Sequence, residues 1–365
     1  MATSIRLATR EDNPAIVRLV NRIYQNGLIR LGFQRNPDFF IGQGVIGDEH
    51  VLTVIVDDEK PNELAGLTNM AGRDLYISGQ RRRVWYSGDT RVDFPYRRRG
   101  LAEEMFKVQK QYRSTTELLQ GIVLKDNTAP LDAARNTAEG VLFDYWISHD
   151  IETSFIFTRK IKPRIPAGVE LRRATAADVP AMQAFFDAEA PRRNGYPCYD
   201  FAAMLKGDPY YAGIKIDKYI LALRGGKIIG ITGSWDQKGF KQTAVLGYKP
   251  ALAALRPLVN LWFGLVGGMQ LPPPGGMLNY LTLHTVLIAN DDQDVFRALI
   301  DWIMANDGQK VDALSVALTE GDPLIAVPRT YKRQKLISCH FWLSYGDDPR
   351  PGIDNRPLYV ELGRL

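Results

Sequence analysis

Between Val92 and Ala102 the chain reads Val-Asp-Phe-Pro-Tyr-Arg-Arg-Arg-Gly-Leu-Ala and then runs into the helical Glu103-Glu-Met-Phe. A strand that ends in a tight turn with Gly100 and Ala102 and opens directly into a helix presents several unpaired backbone N–H groups in one concavity. That geometry suits a phosphate or pyrophosphate, and the positive end of the helix dipole adds to it. Small residues are needed because a larger side chain at Gly100 or Ala102 would block the anion. Arg97, Arg98 and Arg99 offer charge-assisted hydrogen bonds to the same phosphates. Two other readings stay open: a solvated arginine turn with Gly100 in a left-handed or close-packed position, and a nucleic-acid track formed by Arg81-Arg-Arg83 and Arg97-Arg-Arg99.

The charge distribution weighs between these readings. Net charge is +5, yet residues 81–99 hold seven Arg and two Asp, leaving 39 basic and 39 acidic residues elsewhere. A neutral remainder disfavours nucleic acid as partner, because a polyanion surface needs a broad basic face. At 45% hydrophobic and 24% charged the chain is of globular composition, which excludes disordered, collagenous and coiled-coil classes. Cys198 and Cys339 make no disulfide framework or CxxC pair, and His50, His149, His284 and His340 are isolated, so no metal site is expected. Cys339 and His340 are strand neighbours pointing to opposite faces, which favours core or surface roles over a catalytic dyad. The N-terminus lacks the apolar stretch of a secretory signal, and Ala251–Leu271 is too interrupted to span a membrane. The expected compartment is the cytoplasm, with no membrane partner.

The elements that would position the loop form a pattern that repeats. Ile5–Ile16 aligns with Leu171–Met182 at six of twelve positions without a gap, each copy a strand running into a helix with Thr9 or Thr175 as N-cap. Two related domains are expected: residues 1–160, a linker over 161–168, and residues 169–365 with an insertion near 241–276 that is either a lid or a packing flange. In the first, Val51–Val56, Leu64–Ala71, Arg83–Phe94 and Leu118–Leu124 read as strands, Leu101–Tyr112 as a helix, and Leu142–Ile147 with Phe155–Thr158 as a final pair of strands. In the second, Tyr219–Leu223 and Lys227–Thr232 read as a hairpin, Leu278–Leu287, Ala313–Leu318 and Lys335–Ser344 as strands, Val295–Met304 as a helix and Leu358–Leu362 as a closing strand. Helices interleaved with a mixed sheet indicate an α/β (α+β) class.

The Arg-x-x-Gly-x-Ala pattern, preceded by Val92 five residues before Arg97, resembles motif A of the GNAT superfamily of N-acetyltransferases. The resemblance implies two tandem GNAT-like domains, each a mixed, mainly antiparallel sheet flanked by helices. It implies acetyl-CoA as co-substrate, no metal, and direct transfer of an acetyl or short acyl group to an amine on a small molecule or peptide. Val92, Asp93 and Phe94 would face the pantetheine arm, on a strand that splays from its neighbour at a bulge. Arg97, Arg98, Arg99, Gly100, Leu101 and Ala102 would hold the pyrophosphate. Some members carry a base on the strand before the loop, which nominates Tyr86 on the Val92 face, or Asp89 on the opposite face unless a bulge shifts the register. The alternative for Asp89 is a structural pair with Arg91 or with an arginine of a neighbouring strand.

Asn127 matches the family's Asn after the next strand, but Ala134 and Arg135 stand where its tyrosine acid would be, so Tyr145 or a residue of the other domain would substitute. The corresponding loop of the second copy, Leu287–Asp294, has no glycine and three acids that would repel a pyrophosphate, which marks that copy as degenerate. A non-catalytic CoA-sensing or nucleic-acid-binding module is the alternative function, and self-association into a homo-oligomer is left open.

Overall fold

The computed structural model describes residues 2–112, 117–127 and 143–365. The first half contains β1 (Thr3–Leu7), α1 (Asn13–Arg22), β2 (Ile29–Gln34), α2 (Phe39–Gly44), β3 (Glu49–Asp57), β4 (Lys60–Ile77), β5 (Gln80–Val92), α3 (Leu101–Lys110), β6 (Leu118–Leu124) and β7 (Asp144–Phe157). The second contains β8 (Val169–Arg173), α4 (Val179–Glu189), β9 (Tyr196–Pro197), α5 (Phe201–Leu205), β10 (Tyr219–Arg224), β11 (Lys227–Trp235), β12 (Gln242–Tyr248), α6 (Pro250–Val266), β13 (Tyr280–Ile288), α7 (Gln293–Asn306), β14 (Ala313–Thr319), α8 (Ala326–Arg329) and β15 (Arg333–Ser344).

The repeated opening has one physical cause in both copies. The Asp12 carboxylate accepts from the Thr9 N–H at 2.7 Å and takes both terminal nitrogens of Arg6 at 2.7 Å. Asp178 does the same with the Thr175 N–H at 2.8 Å and with Arg172 at 2.8 and 2.6 Å. The shared Arg, Thr, Asp and Pro are thus the residues that turn each strand into its helix through a 3-10 turn, with Pro pre-set at the helix start. Ile16, Leu19 and Val20, spaced three and four apart, are the buried face of α1. The run Val51–Val56, apolar except for Thr53, is buried on both faces of β3 because helices cover both sides of the sheet there.

The half-sheets join into one 13-stranded sheet, ordered β1-β3-β4-β5-β6-β15-β7-β14-β13-β11-β10-β8, with β9 on β4. Two expectations change here. Leu142–Ile147 and Phe155–Thr158 are not a pair of strands: Asp144–Phe157 is one strand of 14 residues, with Leu142 outside the described residues. β7 pairs with β14 of the second half, while β15 of the second half pairs with β6 of the first. The two exchanged strands pair antiparallel from Arg333↔Ile156 to Ser344↔Asp144. Alternating apolar sequence specifies a strand but not which neighbour takes its edge.

The expected closing strand at Leu358–Leu362 is a further correction, because the segment makes only an isolated bridge, Asn194↔Leu358, and ends in a 3-10 turn, Leu362–Arg364. The insertion also acquires a place. β12 pairs with β2 in a separate two-stranded ribbon that joins the two halves, and α6 follows it.

Candidate active site

β5 and β6 are parallel neighbours from Val84↔Leu118 to Ser87↔Gly121, after which they separate while β5 runs on to Val92 and β6 to Leu124. The cause lies on the other edge of β5. Its register with β4 shifts between Leu67 and Asn69, and Asp89 adopts φ +52 at that bulge, which bends the strand away. A wedge-shaped cleft results, with backbone groups of β5 turned towards it.

The mouth of the cleft is the arginine turn. Gly100 caps α3 with φ +72, and a Cβ built there meets nothing within 4 Å. Glycine is therefore set by the left-handed backbone, and the space before the helix is open. The first N–H groups of α3 point into that space without a capping side chain. The helix is held by the buried Gln109, whose Nε2 donates to Val51 O at 2.7 Å and Thr68 O at 3.0 Å. Tyr96 fixes the turn by donating to the buried Asp57 carboxylate. Arg97, Arg98 and Arg99 are exposed; Arg98 has φ +63, and Arg99 sits over the Tyr96 ring at 5.8 Å. Glu103 and Glu104 in the first helical turn are paired with Lys107 at 3.2 and 2.6 Å, which reduces their repulsion of an anion.

Several expected contributors are occupied. Asp93 is buried, pairs with Arg22 at 2.7 Å and caps the Phe94–Tyr96 turn through the Phe94 N–H at 2.9 Å. The Val92 carbonyl accepts from Arg97 Nε at 3.0 Å, and the same guanidinium lies 4.0 Å over the exposed Phe94 ring. These three residues build the loop, and Arg97 already takes one of the two acceptor positions of the Val92 carbonyl. Asn127 is exposed just past β6 and donates its N–H to Leu124 O at 2.9 Å. Ala134 and Arg135 lie outside the described residues. Tyr145 packs on Phe143 and Phe341, with β15 between its strand and β6.

Behind the bulge lies a charged cluster. Asp89 is clamped between Arg35 at 3.3 Å and Arg91 at 3.0 Å, all three nearly buried. Burial alone would push the carboxyl up, but the two guanidiniums hold it down at about 2. The ion-pair reading of Asp89 is what the geometry shows. Tyr86, buried and pushed up to about 12 by burial and by Asp89, keeps its proton at neutral pH and so is a donor. Its ring lies against Gly88, where a Cβ would come within 2.5 Å, and 5.5 Å from the Arg73 guanidinium. The register bulge puts Tyr86 and Asp89 at one end of the cleft, as strand alternation by itself did not.

The residue missed from sequence is Lys241, which enters from the insertion 152 positions beyond Asp89. Its Nζ donates to Leu365 O at 2.6 Å, and Leu365 packs against the small apolar cluster of Ile46, Ala71 and Tyr86. Burial, with Arg35 beside it, pulls the amine down to about 7, against the opposing pull of Asp89. No local motif surrounds it, so only the β2–β12 pairing could reveal it.

The second half repeats the cleft and fills it. β13 and β14 are parallel from Tyr280↔Ala313 to Thr282↔Ser315 and then part, and Thr285 takes φ +53 at a register shift with β11. Here the Thr285 N–H donates to Glu361 Oε2 at 2.8 Å and the Val286 N–H to the Tyr359 hydroxyl at 3.2 Å. The N-terminus of α7 is capped by the Asp292 carboxylate, which accepts from Asp294 N at 3.0 Å and Val295 N at 3.2 Å. Buried Arg193 neutralises Asp291 and Asp322 of the same region. Among the described residues no side chain accepts from the N–H of Asp89 or Thr90 in the first cleft. Among the described residues there is also no group of three or more His, Cys, Asp or Glu arranged to hold a metal.

No protein-family model and no curated protein matches the sequence. Solved structures do match in fold. A GCN5-related N-acetyltransferase from Sphaerobacter thermophilus superposes with TM-score 0.55 at 13% identity, covering 100% of this chain and 98% of that one. A tandem GNAT protein from the clavulanic acid biosynthesis pathway gives 0.55 at 10% identity, covering 95% and 100%. A GCN5-related N-acetyltransferase from Anabaena variabilis gives 0.52 at 13% identity, covering 93% and 72%. The doubled splayed sheet of this chain therefore shares its fold with solved GCN5-related N-acetyltransferases, a tandem GNAT protein among them.

Proposed function

We propose that the first half binds acetyl-CoA, or another short acyl-CoA, in the cleft between β5 and β6 and transfers the acyl group to an amine of a small molecule or peptide. The observation that carries this reading is the parting of β5 and β6 after Ser87 and Gly121 beside an α3 N-terminus that has no capping side chain. The diphosphate sits on the N–H groups of residues 99–102 with Arg98 and Arg99 at its flanks, and the thioester reaches the bulge at Asp89.

The amine must lose a proton before it attacks the thioester carbon. Lys241 is the group at that end of the cleft which changes protonation near neutral pH, and in its neutral form it accepts that proton. The tetrahedral oxyanion is met by backbone N–H at the bulge, and the departing thiolate is met by the protonated Tyr86 hydroxyl. No covalent enzyme intermediate is needed. The second half, its bulge and helix N-terminus already filled by Glu361 and Asp292, supplies β12, Lys241 and β15 and binds no acyl-CoA.

Calorimetric titration with acetyl-CoA tests the binding claim, with Gly100→Glu expected to weaken affinity by about tenfold or more. Gly100→Ala, which carries the backbone strain without the obstruction, is the control. Unchanged binding in Gly100→Glu overturns the reading. Thiol release from acetyl-CoA over a panel of amines then tests transfer.

A further inference from the structure

The outward face of α6 is apolar where a surface helix is ordinarily polar. Leu255, Leu258, Leu261, Trp262 and Leu265 recur at the three- and four-residue spacing of one helical stripe, and they are 51%, 64%, 64%, 60% and 76% exposed. The polar side chains of the helix face inward instead. Asn260 accepts from Leu271 N at 2.8 Å and donates to Leu271 O at 2.9 Å, and Arg256 reaches the same carbonyl at 3.5 Å. Leu28, 67% exposed, lies beside the start of α6, where its carbonyl accepts from the Lys249 N–H at 3.0 Å. Single exposed leucines are ordinary, whereas a contiguous stripe on one helix marks an interaction surface.

Charge identifies the occupant. Residues 13–37 and 237–290, which form α1, β2, β12, α6 and β13, contain eight basic residues and no acidic one. Arg22, Arg35 and Lys238 are matched by Asp93, Asp89 and Asp236 and the amine of Lys241 is buried, while Arg30 and Lys249 are exposed beside the start of α6. A second copy docking by this face would bring further basic side chains and, from these segments, no acidic one to pair with them. An anionic lipid surface complements both the apolar stripe and its basic surroundings. No helix among the described residues is long and apolar enough to cross a membrane, and the 17 residues of α6 are suited to lying on one.

We propose that α6 docks this protein on an anionic bilayer surface, with Leu258, Trp262 and their neighbours set into the boundary between headgroups and acyl chains. The sequence reading expected no membrane partner, on the ground that no segment suits a span; the outward orientation of the stripe is a tertiary feature. Docking holds the β2–β12 ribbon against the lipid, and that ribbon is flanked by Arg35 and Lys241 of the candidate site.

Co-sedimentation of the full chain with vesicles of phosphatidylcholine and phosphatidylglycerol, against vesicles of phosphatidylcholine alone, tests the proposal. The protein is expected to pellet with the anionic vesicles and to be released by high salt. The double variant Leu258→Glu, Trp262→Glu is expected to lose about tenfold or more of the bound fraction, as removal of two inserted apolar side chains requires, at unchanged melting temperature. Wild-type protein left in the supernatant with anionic vesicles overturns the proposal, as does a variant that pellets equally well. A wild-type dimer in sedimentation velocity that the double variant abolishes assigns the face to a second copy and also overturns it. None of these outcomes depends on acetyl-CoA binding.

Discussion

Asp89 and Thr285 take the same backbone conformation at the same place in the two halves, φ +52 and +53, each on a strand whose parallel neighbour has just departed. Neither is glycine, so each half carries a strained residue of about 1–3 kcal/mol at its bulge. What differs is the company. The Asp89 side chain turns back to Arg35 and Arg91, whereas the Thr285 N–H is taken by Glu361. One bulge geometry thus serves an open cleft in the first half and a filled one in the second.

Replacing Asp89 by Asn removes the shared partner of two nearly buried guanidiniums, and the expected loss of stability is about 3–5 kcal/mol in urea unfolding. The folded pKa near 2 lies below the ordinary carboxylate value, so the stabilisation is complete above about pH 4 and is lost as pH falls towards 2. The difference between wild type and Asp89→Asn should shrink over that window. A difference that does not change with pH would show that the charge of Asp89 is not what stabilises the fold.

Lys241 is depressed to about 7 in the folded chain and stands near 10.4 when unfolded. The unfolded state then binds the extra proton between those values, so stability rises with pH from about 7 towards 10. Lys241→Met should abolish that rise in urea unfolding and, in thiol-release assays, remove a rate limb with a midpoint near pH 7, while leaving acetyl-CoA affinity unchanged. A retained limb would assign the proton acceptor elsewhere.

The exchange of β7 and β15 makes each half incomplete alone. A chain of residues 1–160 should lack cooperative thermal unfolding by circular dichroism, because the edge of β6 has lost its partner over Ser338–Leu343. Co-expression with residues 161–365 should restore it. A cooperative transition in the isolated first half would show that β15 is dispensable.

Glu361→Ala should cost about 2 kcal/mol, since it strands the Thr285 N–H and the Tyr359 and Tyr199 hydroxyls in a buried site. Glu361→Gln should cost less. It keeps an acceptor and removes a charge that burial disfavours, as the raised pKa of this carboxyl reflects. Calorimetric acetyl-CoA affinity should be the same in both variants, because this is the closed cleft; a change would mean the two clefts are coupled.

The turn from Asp93 to Ala102 was legible because its chemistry is local: a glycine at φ +72, a helix that starts at Leu101, and three arginines within reach. The repeat was legible for the same reason, since Arg6 with Asp12 and Arg172 with Asp178 act over six residues. The final strand pair of the first half and the closing strand at Leu358 were misread because their pairing partners lie between 156 and 200 positions away, and alternation carries no record of them.

The amino-acid sequence by itself determined the glycine turn that opens α3, the doubling of the chain and the absence of a matching glycine turn in the second copy, all through interactions between neighbours in the chain. Tertiary structure alone decided that Asp89 is neutralised by Arg35, that Lys241 arrives from the other half, that Glu361 closes the second cleft, and that the leucine stripe of α6 faces outward. Each of these depends on which surfaces meet when the sheet closes across β15 and β7 and the ribbon closes across β2 and β12. Burial and long-range electrostatics come into being only with those contacts.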